Sequence, residues 1–345
     1  MCIVLFTTAH PGYSLILIDN RDEYILRPTS RPAWWKLPTT GEEVLSARDL
    51  QRTEKGTWLG ITRSGALAVL TNYREVEARD ADQAVRGIKS RGGVVTAWLG
   101  ATDDGGIDGR VRQLVDGDGV AGVGGFSLVG GRLRRHHGGI AIVSNRARQA
   151  DDVPVIGQQR GETWALSNTV FNDPNEWPKV RDGKKLLAEA VSESVAHNDD
   201  EQALLKRLFG VLDTENLPAR DPQRGLEEYI TRLRHTIFVP PIGDERHQSA
   251  MRQAMARGRS DWTDGEVQAV EELLADQRPE PKPSAETVTA FATGMYGTQR
   301  QTVLLVDLDG NVTFIERALW DGNGHEIPRG EGDVVYRFSI DGWDD

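Results

Sequence analysis

Two apolar, β-branched runs open the chain, Cys2–Thr8 (CIVLFTT) and Ser14–Asp19 (SLILID), separated by a segment containing Pro11-Gly12. Runs of this length around a turn signal predict a β-hairpin. A stretch with Pro28, Pro32 and Pro38 around Trp34-Trp35 reads as a loop, and a second hairpin follows in which Thr57–Thr62 and Ala66–Tyr73 flank Arg63-Ser64-Gly65. Gly92–Gly100 reads as a short helix and the glycine-rich Asp116–Gly125 as a loop. Its Gly117, Gly119 and Gly122 match a dinucleotide fingerprint by spacing only, since no strand pattern precedes them and no helix pattern opens after them.

Further strand patterns are Phe126–Val129, Ile140–Ser144 and Thr163–Asn168. Lys184–Ala196 and Glu201–Leu212 carry apolar residues at helical spacing with charges opposite, which predicts two amphipathic helices, and Asp221–Arg234 is a third candidate. Thr302–Leu308 and Val312–Arg317 flank Asp309-Gly310, a strong hairpin signal. Pro240–Thr287 is rich in proline and charge, with one candidate helix at Asp264–Asp276, and its 243–285 portion reads as a peripheral insertion in a single domain spanning 1–345. Strands and helices cluster by type instead of alternating, so the fold class is α+β with antiparallel sheets and packed helices.

Composition narrows the function. The 41 Lys and Arg against 52 Asp and Glu leave a net charge of −11, which opposes tracking a nucleic-acid backbone or an anionic membrane surface. The single cysteine, Cys2, gives no intramolecular disulfide and no cysteine-based zinc site, and fits a reducing compartment. No apolar run approaches the roughly 20 residues of a membrane helix, and no secretory signal is recognisable, so a soluble, intracellular chain is expected, with membrane association at most peripheral.

Cys2 carries the most suggestive chemistry. Cysteine is small enough for the initiator Met to be removed, which leaves a thiol and a free α-amine on one residue, a nucleophile and its base together. Asn20-Arg21-Asp22-Glu23 ends the second predicted strand, and a simple hairpin returns it to the neighbourhood of Cys2. Arg21 held by a carboxylate would place fixed positive charge near a developing thiolate or oxyanion. The histidines are plainer: His136-His137 follows a basic turn, and His10, His235 and His247 lack partners at metal-ligand spacing. Trp34, Trp35 and Trp58 read as core or as the wall of an apolar pocket.

These residues, together with MCIVLF at the start, Arg27-Pro28, TWLG at Thr57–Gly60, LTNY at Leu70–Tyr73, Arg91-Gly92, LSN at Leu166–Asn168, YGT at Tyr296–Thr298 and LLVDLDGNVTFIER at Leu304–Arg317, carry a family resemblance. The chain resembles the Transport and Golgi organisation 2 family, also called the NRDE family. The resemblance implies a four-layer αββα sandwich of the N-terminal nucleophile hydrolase type. It also implies a site of Cys2 as nucleophile, Arg21 and Asp22 steadying it, Asn72 as oxyanion donor and Asn168 orienting the α-amine or substrate. Gln299 stands where many members have Arg, with Arg300 next, and strand alternation would point the two side chains to opposite faces.

Two functions follow from the resemblance. The first is a small-molecule handling protein in haem trafficking, acyl-CoA and lipid homeostasis, or Golgi organisation and protein secretion. It would require no cofactor, carry haem or acyl-CoA as ligand, and be cytoplasmic with Golgi or mitochondrial association as the finer expectation. The second is an active Cys2-dependent amide, ester or thioester hydrolase or acyltransferase.

Overall fold

The computed structural model describes residues 2–51, 54–73, 91–102, 105–117, 119–136, 138–217, 231–260 and 294–345. Within them thirteen strands form two antiparallel sheets. The first has six strands in the order β10 (Thr163–Leu166), β1 (Ile3–Thr7), β2 (Tyr13–Tyr24), β11 (Tyr296–Asp307), β12 (Asn311–Ala318), β13 (Asp333–Ser339). The second runs in chain order from β3 (Ala33–Lys36) through β4 (Glu43–Ser46), β5 (Leu59–Thr62), β6 (Ala66–Asn72), β7 (Phe126–Arg132) and β8 (Ile140–Ser144) to β9 (Val155–Ile156).

The opening strands read as unbroken apolar runs because both faces of the first sheet are covered. Val4, Phe6, Leu15 and Leu17 point into the core between the sheets, where they meet Leu59, Ile61, Leu67 and Val69. The alternate residues Ile3, Leu5, Ile16 and Ile18 pack under helices α3 (Pro178–His197) and α4 (Glu201–Leu212), against Leu187, Val191, Leu204 and Leu208. Helices α1 (Arg91–Leu99) and α2 (Gly106–Val115) cover the outer face of the second sheet through Val95, Trp98 and Val111. Trp98 packs closely on β7, where a Cβ on Gly130 would sit 2.5 Å from its ring, so glycine is required there. The result is the four-layer αββα sandwich expected.

Several predicted elements shift. Trp34 and Trp35, read as loop, form β3 and pair with β4, itself unpredicted. The prolines bracket this strand instead of interrupting it. Helix α2 and edge strand β13 were also absent from the pattern reading. The glycine fingerprint follows a helix, not a strand, since Gly117 and Gly119 close the end of α2. The stretch read as a peripheral insertion opens with helix α5 (Glu245–Met255), whose Met251 and Ala254 are buried against Ile25 and Leu26, so its first part belongs to the packed body. The candidate helix at 264–276 and most of the one at 221–234 lie outside the described residues.

Candidate active site around Cys2

The site follows from strand register. Ile3 pairs with Asn20 and Val4 with Asp19 and Leu166, so continuing the two ladders, by one residue against β2 and by two against β10, sets Cys2 between Arg21 on β2 and Asn168 beyond β10. On the far side of β2, Arg21 pairs with Arg300. Asn168, Cys2, Arg21 and Arg300 thus form one row across the sheet, on the face turned toward the second sheet. The adjoining row on that face is Leu166, Val4, Asp19, Thr302 and Glu316. A hydroxyl fixes the Cys2 backbone, because Ser167 Oγ donates to the Cys2 carbonyl oxygen at 2.7 Å.

Alternation divides the Asn20–Glu23 motif between two jobs. Asn20 points to the helix side, where its Nδ2 donates to the Leu212 and Ile237 carbonyls at 2.8 and 3.0 Å and ties β2 to the helical layer. Asp22 also faces that side and accepts from Thr298 Oγ1 at 2.7 Å. Arg21 faces inward. Its Nη2 donates to Thr29 Oγ1 at 3.2 Å, its guanidinium carbon stacks 4.7 Å from the Trp58 ring centroid, and its buried Nε has no hydrogen-bond partner. Trp58 also lies 5.7 Å from Arg27, which is paired with Asp49 at 2.7 Å and Glu23 at 3.5 Å. Arg21 is therefore a held cation beside Cys2 rather than a solvated turn residue.

The Gln299–Arg300 ambiguity is resolved by a β-bulge. Register slips between Thr298 and Arg300, which makes Gln299 the extra residue, and its Nε2 donates to the Ile25 and Arg27 carbonyls. Arg300 consequently takes the place in the Cys2 row. Its Nη1 donates to the Trp320 carbonyl at 2.8 Å and its Nε lies 3.8 Å from Glu316, a carboxylate it shares with Arg31 at 3.6 Å.

The two asparagines separate. Asn168 sits in the row, and its Nδ2 donates to the main-chain oxygen of Asn72, while Thr71 Oγ1 donates to the Ser167 carbonyl at 2.8 Å, so this corner stitches the two sheets together. Asn72 pairs with Phe126, in line with Ala68 and Leu70 beneath the helices, and its Oδ1 is buried without a hydrogen-bond partner. Asn72 reaches the site by its backbone, and among the described residues no hydrogen bond joins its amide to Cys2.

Burial dominates the electrostatics. It pushes the Cys2 thiol up to about 12, the positive chain terminus opposes this, and Asp22 and Asp19 add to it. The thiol itself donates to the Asp22 carbonyl at 3.7 Å. Burial likewise pushes Asp19 up to about 7, with Arg21 opposing and Asp22 and Glu316 adding. In this state the Cys2 side chain is a neutral thiol.

A family model described as Transport and Golgi organisation 2 matches residues 1–321. The chain belongs to that family. It is 28% identical over 327 residues to the human Transport and Golgi organization protein 2 homolog, covering 93% of this chain and 94% of that one. The bovine homolog is 29% identical over 341 residues, covering 95% and 99%. Among solved structures, the chain is similar to a Caenorhabditis elegans N-acylethanolamine-hydrolyzing acid amidase ortholog (12% identity, TM-score 0.34, 69% of this chain and 90% of that one). It is also similar to a mutant conjugated bile acid hydrolase from Clostridium perfringens (12%, TM-score 0.37, 99% and 92%).

Three neighbours of Cys2 in this family member escaped the sequence reading. Lys179, at the start of α3, is fully buried and interacts electrostatically with Asp22 and Cys2. Tyr296 donates its hydroxyl to the Asp22 carbonyl at 3.1 Å, and burial beside Asp22 and Cys2 pushes its phenol well above the ordinary range. Asp19 is the third. For Lys179 a signal existed, since Lys179, Gly183 and Leu187 stand at i, i+4 and i+8 on the buried face of α3, but the helix was predicted to begin at Lys184, after it. Among the described residues no group of three or more His, Cys, Asp or Glu is placed to hold a metal ion, and no helix is long and apolar enough to cross a membrane.

Proposed function

We propose that the chain takes an acyl group onto Cys2 as a transient thioester, and is an amide, ester or thioester hydrolase or acyl-transfer protein within the transport- and Golgi-related role named in the family's description. The observation that carries this reading is the row Asn168–Cys2–Arg21–Arg300, which holds a buried thiol beside a fixed cation with its own carbonyl pinned by Ser167. A surface that merely bound an apolar ligand would gain nothing from burying these charges, because each is costly away from water.

The chemistry runs as follows. Removal of Met1 brings the positive terminus onto Cys2 and leaves an α-amine whose ordinary pKa is about 7.7–8.0. The amine takes the thiol proton as sulfur attacks the carbonyl carbon, and Arg21 stabilises the oxyanion through fixed charge. Collapse of the intermediate expels the amine, alcohol or thiol leaving group, which takes the proton back from the ammonium. Water, deprotonated by the same amine, or a second acceptor then releases the acyl group. Asn168 orients the Cys2 segment. Asn72 serves as oxyanion donor only if its amide turns away from the helix side. Acyl-CoA handling is the binding half of this reading, because a thioester is both ligand and acyl donor.

The test starts from intact mass, which is expected to show a chain beginning at Cys2 with a free amine. An activated octanoyl thioester should then give a stoichiometric burst of free thiol with wild type and none with Cys2→Ala, a loss of at least about 100-fold. No burst from wild type, with haem or acyl-CoA still bound by Cys2→Ala, would replace this reading by that of a carrier without turnover.

A further inference from the structure

Lys179 has no part in the mechanism above, although its side chain is among the largest that are fully buried. Its position is set by the packing of α3 on β1. Pro178 occupies the first turn of the helix, where its missing N–H costs nothing. One turn on, Gly183 lies so close over β1 that a Cβ there would meet the Leu5 side chain at 2.8 Å. Four residues back along the helix is about 6 Å, and two residues back along the strand from Leu5 is about the same distance. Lys179 therefore stands over the beginning of β1, on the helix side of the sheet, where Asp22 points.

The ionisable groups that interact with Lys179 are Asp22, on the same face of β2, and Cys2, at the start of β1, and the Tyr296 phenol from β11 interacts with the same two residues. Asp19 and Arg21 lie on the opposite face of β2. The buried side chains that α4 and the turn at Thr231–His235 bring to the helical layer are apolar: Leu204, Leu208, Phe209, Val211, Leu212 and Leu233. One buried carboxylate and one buried ammonium thus stand at the start of β1, next to the residue that becomes the chain terminus. Burial pulls the Lys179 amine below its ordinary value, and Asp22 and Cys2 hold it up.

The chemistry of an α-amine base makes this pairing consequential. A lone buried Asp22 beside the α-amine would favour the ammonium, since an opposite charge at contact distance raises an amine's pKa by roughly 1–3. A permanently protonated amine cannot accept the thiol proton. With Lys179 present, one anion serves two amines, and the amine of ordinarily higher pKa keeps the charge.

We infer that Lys179 is a positioning residue for Cys2 chemistry, whose buried ammonium offsets the Asp22 carboxylate so that the α-amine freed by loss of Met1 stays uncharged and able to accept the thiol proton. The inference rests on the reading of Cys2 as an N-terminal nucleophile. It adds a residue from the helical layer to a site otherwise built from strands.

The single cysteine permits a direct test on the full chain. Labelling with 13C,15N-cysteine marks Cys2 alone, so NMR titration of its Cα and Cβ follows the α-amine and thiol without any turnover. Lys179→Met and Lys179→Gln should each raise the α-amine midpoint by about one pH unit, and Lys179→Arg should leave it near wild type. The acid limb of the thioester burst should move by the same amount. An α-amine midpoint unchanged in folded Lys179→Met or Lys179→Gln would overturn the inference. So would failure of both to fold, with Lys179→Arg unable to restore the wild-type midpoint. If the midpoint moves as expected while wild type gives no burst, the charge relation holds and the acyl-transfer reading is the one that fails.

Discussion

The two ends of β2 carry similar side chains and put them to opposite use. At the Tyr13 end, about 30 Å along the strand from Asp22, a cleft of about 630 Å³ is lined by Tyr13, Glu201, Asp307, Asn311, Arg337 and Ser339. Its ion pair, Arg337 to Glu201 at 2.8 Å, has side chains 64% and 34% exposed. At the other end Asp19, Arg21, Asp22 and Lys179 are each less than a tenth exposed. A charge in the open cleft keeps most of its hydration and costs the fold almost nothing, so its presence says little about function. The same charge in the sandwich costs several kcal/mol unless it is paired, so its retention beside a thiol marks that end as the candidate for chemistry. The open cleft is accordingly the poorer candidate for chemistry.

The sharpest way to break this contrast is to remove one buried partner. Asp22→Ala deletes the acceptor for Thr298 and the anion facing Lys179. Breaking a buried pair from one side leaves an uncompensated charge, and a loss of about 3–5 kcal/mol is expected in urea or thermal unfolding. A loss below about 1 kcal/mol would mean that water reaches the Cys2 end as freely as it reaches the cleft. Its bond to Thr298 and the burial around it put stability first among the effects of losing Asp22.

Asp19 sharpens the comparison through pH. Its carboxyl is pushed from 3.8 up to about 7, chiefly by burial. Between those values the folded chain binds a proton there that the unfolded chain does not, so this residue's contribution to stability falls as pH rises through that window and is flat above it. Asp19→Asn removes the dependence. The variant should match wild type near pH 4 and exceed it above pH 7 by at most about 4 kcal/mol. A difference between the two proteins that does not change from pH 4 to pH 8 would show that Asp19 is not held protonated by burial.

How much of this was legible in the sequence depends on which layer a residue serves. The two hairpins whose strands carry the site announced themselves at their far ends, through Pro11-Gly12 and Asp309-Gly310, because turn chemistry is local. The apolar runs of β1 and β2 were equally plain, being covered on both faces. Lys179 was not, because its role depends on α3 starting at Pro178 and crossing β1 at Gly183, a tertiary fact. The bulge at Gln299 was invisible for the same reason: one extra residue in a ladder leaves no local pattern, yet it decides that Arg300 enters the Cys2 row. Strands β3 and β4 were lost among prolines, and β13 carries exposed Val335 and Arg337 at an edge, where the apolar alternation is weak.

The smallest expected effect lies in the cleft and tests the other half of the contrast. Arg337→Ala removes one exposed partner and should cost less than about 1 kcal/mol, with the cost shrinking as salt is added. Glu201→Ala should cost somewhat more, for reasons unrelated to the pair. Glu201 sits in the first turn of α4, where a negative charge complements the helix dipole, and it accepts from Thr313 Oγ1 at 3.2 Å. A double-mutant cycle subtracts those contributions, and the coupling between Arg337 and Glu201 should be no more than about 0.5 kcal/mol. A coupling of about 2 kcal/mol or more would mean that the cleft is as desolvated as the Cys2 end, and that burial does not distinguish the two ends of the strand.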